Sequence, residues 1–69
     1  MENSLLRFKK RRPVSKMREE LTVEAPEDMT AEQVERAMKG FMPYGGTTPT
    51  KAGKPVDGRQ TWTMEAYLD

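Results

Sequence analysis

Three stretches of the chain alternate apolar and polar positions regularly, and each predicts one element. Glu20-Leu21-Thr22-Val23-Glu24-Ala25 alternates with period two, the signature of a strand with one buried face. Leu21, Val23 and Ala25 face inward in this reading, and Pro26 ends the run. Gln60 to Leu68 alternates in the same way and is rich in Thr and aromatic residues, as strands are. Trp62, Met64, Ala66 and Leu68 would point into the core, and Thr61, Thr63, Glu65 and Tyr67 away from it. Between them, Ala31, Val34, Ala37, Met38 and Phe41 recur at helical spacing and form one apolar face. The expected elements are a strand at 19–25, a helix at 30–41 and a strand at 60–68.

The helix also carries its own start and stop signals. Thr30 followed by Gln33 is a capping-box pattern, and Met29 before the cap can staple onto Val34. Glu32 with Arg36 and Glu35 with Lys39 are spaced as favourable ion pairs. Gly40 and Pro43 read as the stop.

Pro43 to Gly58 holds Gly45, Gly46, Pro49, Gly53, Pro55 and Gly58 among Thr47, Thr48 and Thr50. That composition predicts a loop, with Asp57-Gly58 as a tight turn into the last strand. A loop this long is a place to look for function. The region before residue 19 fits a short basic helix, a strand at 5–9 turning through 11–16, or a chain ordered only by contact. The third is preferred. The expected fold is α+β: a β-α-β body at 19–69, one helix on a two- to three-stranded sheet, with a flexible basic arm at 1–18. Residues 4–10 are an option for an antiparallel third strand.

Charge sharpens this picture. The formal net charge is only +1 over 69 residues. Residues 1–18, however, hold Arg7, Lys9, Lys10, Arg11, Arg12, Lys16 and Arg18 against Glu2, a net of +6. The remaining residues set five cations against ten acids, a net of −5. A basic arm on an acidic body is expected either to grip phosphates or to fold back on that body.

Composition narrows the chemistry. With no Cys and no His, there is no disulfide, thiolate nucleophile, imidazole base or imidazole metal ligand. Gly46 to Lys54 approaches a phosphate-binding loop, but the glycine spacing is wrong, and Pro55 stands where a hydroxyl is needed. Ser4 and Ser15 lack a base, and the adjacent pairs Glu19/Glu20 and Glu27/Asp28 read as solvated carboxylates. Glu24, Glu27, Asp28 and Glu32 lack the pattern of a calcium loop. No cofactor or metal is expected.

The sequence has no apolar run of membrane-spanning length and no signal-peptide core. A cytoplasmic protein of bacterial or phage origin, without membrane contact, is the expectation. Its expected function is a small non-catalytic regulator or inhibitor that docks on a larger protein. The alternative is a nucleic-acid-binding protein whose arm contacts the phosphates of DNA or RNA, and a homodimer is a further option. The candidate partner-binding residues are Arg7, Lys9, Lys10, Arg11, Arg12, Lys16 and Arg18 in the arm, with Phe41, Tyr44 and Tyr67 in the body. Tyr67 is included because Tyr is enriched at interfaces.

Overall fold

Alternation along two nine-residue strands builds the center of the fold. A computed structural model describes residues 6–68, with β1 (Arg7–Pro13), β2 (Arg18–Pro26), α1 (Ala31–Met38), β3 (Thr50–Lys51) and β4 (Arg59–Tyr67). A short 3-10 helix, Lys39–Phe41, follows α1. The strands form one antiparallel sheet in the order β1-β2-β4-β3. The fold is therefore α+β.

β2 and β4 pair in continuous register from Arg18↔Tyr67 to Pro26↔Arg59, bringing Leu21 opposite Met64 and Val23 opposite Trp62. One-residue alternation then places Leu21, Val23, Ala25, Trp62, Met64 and Ala66 on one face, all buried. Val34 and Met38 of α1 pack onto that face, with Met42 and Leu6 closing its margins. Gln60 is the buried polar side chain of this layer. Its Nε2 donates to the carbonyls of Gly53 and Thr61, both at 2.9 Å, which removes the cost of burying an unpaired amide.

The capping box forms as its spacing requires: Thr30 Oγ1 accepts from Gln33 N at 3.2 Å, and Gln33 Oε1 accepts from Thr30 N at 2.9 Å. The helical path runs through Gly40, because the last turn tightens to 3-10 geometry. That tightening rotates Phe41 out to an exposed position and puts Met42 in the core instead. Leu68 lies just past the end of β4 and is exposed, against its expected inward position.

Three further expectations change. The sheet has four strands rather than two or three. The loop at 43–58 is partly sheet: Gly46 bridges to Ala66, β3 pairs with β4, and Val56 and Arg59 exchange backbone hydrogen bonds of 2.8 and 3.0 Å. Asp57 and Gly58 between them have φ of 52° and 77°, the two left-handed residues of a type I′ hairpin turn. Residues 7–13 lie in the sheet as β1 instead of forming a free arm, and Leu6 before them is buried. The physical reason is complementarity with β2, detailed below. The expectation for the extreme N-terminus falls on residues 1–5, outside the described residues. No helix among the described residues is long and apolar enough to cross a membrane.

Candidate functional site

β1 reads Arg-Phe-Lys-Lys-Arg-Arg-Pro, and all seven residues are exposed. Extended pairing of such a strand would be self-defeating beside another cationic strand. β2, however, offers Glu19, Glu20 and Glu24 in register. Arg7 stands opposite Glu24, Arg12 opposite Glu20 and Pro13 opposite Glu19. Arg12 Nη2 lies 2.7 Å from Glu20 Oε1, Arg11 Nε 3.4 Å from Glu19, and Lys9 Nζ 3.2 Å from Glu24. The register slips between Phe8 and Lys10. This bulge lets Lys9 reach Glu24 as well as Arg7 does, because an extra residue re-aims the side chains around it.

Glu24 is the hub of these contacts. Arg7, Lys9 and, from β4, Arg59 all approach it within 4 Å. The hydrogen bond from Lys9 holds its carboxyl below the usual carboxylate range, assisted by the charges of Lys9, Arg59 and Arg7 and opposed by partial burial. Each exposed ion pair adds little alone, ~0–1 kcal/mol, so the buried Leu6 and the ladder with β2 carry much of β1's attachment.

β1 ends the sheet. Among the described residues its strand neighbour is β2 alone. An edge strand directs alternate backbone N–H and C=O groups outward, where a further strand can pair with them. Phe8 projects on the helix-bearing side of the sheet. It meets Phe41 edge-to-face, with ring centroids 5.0 Å apart and planes at 67°. The two residues remain 39% and 38% exposed, so an apolar step lies beside the free backbone edge.

The expected site residues thus divide into three places. Arg7, Lys9, Lys10, Arg11 and Arg12 come together on β1, with Phe41 beside them. Arg18 and Tyr67 form a separate pair on the helix-free face, across β2 and β4: the Arg18 guanidinium sits 5.4 Å from the Tyr67 ring centroid and 3.0 Å from Glu65. Lys16 is at the tip of the β1–β2 turn, and Tyr44 is exposed in the segment after the 3-10 helix. Among the described residues neither makes an ion pair or ring contact with the other two groups.

Phe8 is the residue that sequence reasoning missed. Its signal was present: it sits two positions after Leu6, so a strand puts both on the apolar side. Glu19 and Glu20 were read as solvated carboxylates, and the option of the arm folding back on the acidic body was not carried to a register, although a basic strand and an acidic strand flanking a four-residue turn invite antiparallel pairing.

The helix-free face also holds an open hollow of about 350 Å³ lined by Glu20, Thr47, Thr48, Thr50, Thr63, Met64 and Glu65. Glu20 and Glu65 are directly opposite in register, yet each carboxylate is held by its own arginine, Arg12 and Arg18. No known family pattern matches the chain, and no curated protein or solved structure is similar to it.

Proposed function

We propose that this protein is a small non-catalytic binding module that docks on a larger protein through the β1 edge and regulates it. One observation carries the reading: a seven-residue exposed edge strand with the half-open Phe8–Phe41 pair at its flank. Strand addition at such an edge draws affinity from main-chain hydrogen bonds and selectivity from neighbouring side chains. An aromatic pair gives the docking partner apolar area to cover.

The nucleic-acid reading draws on a different observation, the net +4 of residues 7–24. Lys10 and Lys16 have no ion pair among the described residues. The other β1 cations already lie beside carboxylates, and phosphate contact would leave both the open backbone edge and the half-exposed Phe8–Phe41 pair unused. This makes phosphate binding the weaker of the two readings.

Photo-crosslinking tests the docking reading. A benzophenone side chain placed at Phe8 is compared with one at the exposed Glu35 on α1, in nuclease-treated extract of the source cells. A discrete protein adduct from position 8, absent from position 35, is the expected result. Equal labelling from both positions, or none from position 8, overturns it.

A further inference from the structure

Granting that reading, the chemistry of the edge also specifies its occupant. We infer that the β1 edge accepts an acidic, extended segment of the partner protein, with acids alternating with apolar residues. The argument starts from what β1 already binds. On its inner side it pairs with Glu19-Glu20-Leu21-Thr22-Val23-Glu24, an acidic strand with apolar residues at alternate positions. Its outer side presents the same cations, because each projects from the sheet face rather than toward β2. The side chains of Arg7, Lys9, Arg11 and Arg12 remain 48–68% exposed, and a guanidinium has five donors, enough to serve two carboxylates.

Alternation assigns the two sides of the incoming strand. On the helix-free side it passes Arg7, Lys10 and Arg12, and carboxylates there complete the cross-strand pairs. On the helix-bearing side it passes Phe8 with Phe41, where an apolar side chain covers the exposed rings, and then Arg11.

A second copy is the poorest occupant. Pairing β1 with another β1 would set five cations against five across one ladder, and like charges opposite one another destabilise a sheet. The charges that admit an acidic strand therefore turn away the chain's own edge, a common way for a sheet to avoid self-pairing.

The test uses three fluorescein-labelled peptides, Glu-Val-Glu-Val-Glu-Val, Lys-Val-Lys-Val-Lys-Val and Glu-Ser-Glu-Ser-Glu-Ser, titrated into the full chain by anisotropy. Amide hydrogen exchange of β1 is followed by NMR. The alternating Glu/Val peptide should bind at least tenfold more tightly than either other peptide and weaken with salt. It should also slow exchange of outward amides within residues 8–12. The pair Arg7→Gln with Lys10→Gln should weaken binding about tenfold while the circular dichroism spectrum stays unchanged. Phe41→Ala should weaken the Glu/Val peptide and leave the Glu/Ser peptide unaffected, which separates apolar cover from charge.

Three results would overturn the inference: binding with no change in β1 exchange, preference for the Lys/Val peptide, or an oligonucleotide duplex displacing the Glu/Val peptide at equal concentration. The crosslinking experiment keeps the two readings apart. A protein adduct at position 8 without acidic-peptide binding leaves edge docking standing and removes the acidic occupant. Failure of both removes the docking reading itself.

Discussion

Gly46→Ala should destabilise the fold sharply, although Gly46 is not in a left-handed conformation. The cause is space. A Cβ at this position would overlap the Glu65 carbonyl oxygen outright and would lie 2.9 Å from Met42 Sδ and 3.3 Å from Ala66 Cα. Met42 is flexible and can yield, but the Glu65 carbonyl is fixed within β4. Relief requires the 45–47 segment to move away from β4. That strains three hydrogen bonds: Thr47 N to Glu65 O at 2.8 Å, Glu65 N to Thr47 Oγ1 at 2.8 Å, and Tyr67 N to Gly45 O at 2.9 Å. Overpacking of this kind costs ~1–3 kcal/mol, and each weakened bond adds a fraction of ~1 kcal/mol. The expected loss is about 2–4 kcal/mol, out of the ~3.5–10 kcal/mol available to a domain of this length. At ~4–8 °C per kcal/mol for small domains, Tm should fall by at least ~8 °C. Thermal and urea unfolding followed at the Trp62 signal measure both quantities. Gly40→Ala is the control, since a Cβ there meets nothing within 4 Å and φ is not positive. It should leave Tm unchanged or raise it by reducing the freedom of the unfolded chain. A Gly46→Ala protein within ~2 °C of the parent, against the ~8 °C expected, would refute the claim that close approach to β4 requires glycine.

Two further predictions concern the elements that hold the sheet and helix in place. The Glu24 carboxyl is held below its unfolded value of 4.5 by Lys9 first and then by Arg59 and Arg7. Its contribution is therefore present above that value and lost as pH falls through the lowered folded one. Tm measured from pH 7 down to pH 2 should fall less steeply in Glu24→Gln than in the parent, and parallel curves would contradict the assignment. Thr30→Ala removes one of the two capping-box hydrogen bonds and the geometry of the other. It should cost ~1 kcal/mol in urea unfolding, with Thr30→Ser recovering most of the loss; no loss would mean that the cap adds nothing to the helix.

Elements that bury a face were legible in the sequence because burial imposes a period. Leu21, Val23 and Ala25, then Trp62, Met64 and Ala66, could alternate in only one register without sending apolar residues to solvent. The helix start was legible for a similar reason: Thr30 and Gln33 satisfy named backbone groups. Its end was not, because Gly40 is compatible with both a stop and a tightened 3-10 turn. The choice between them rests on whether Phe41 or Met42 fits the core, a matter of packing rather than pattern. Likewise, Thr50 and Lys51 gave no periodic signal, since a two-residue strand is too short to show one. Its pairing follows from the Asp57-Gly58 turn folding the loop back along β4.

The basic segment is the more instructive case. Its charge was plain in the sequence, and charge alone left two outcomes open, an arm held out to phosphates and an arm folded back on the acidic body. What that argument lacked was the spacing of the acids across the turn. Glu19, Glu20 and Glu24 fall where an antiparallel return strand meets Arg11, Arg12 and the Arg7–Lys9 pair. Once a four-residue turn is allowed at 14–17, the five cations of β1 and the three acids of β2 stand on adjacent strands, and the repulsion within β1 is offset by attraction to β2. Leu6 and Phe8, two residues apart, then give the strand an apolar side that a polar tail would not need. The pairing consumes one backbone edge of β1 and leaves the other open, with its cations still half exposed. The proposed acidic strand would use on the outer edge the same pairing of cations with carboxylates that holds β1 to β2 on the inner one.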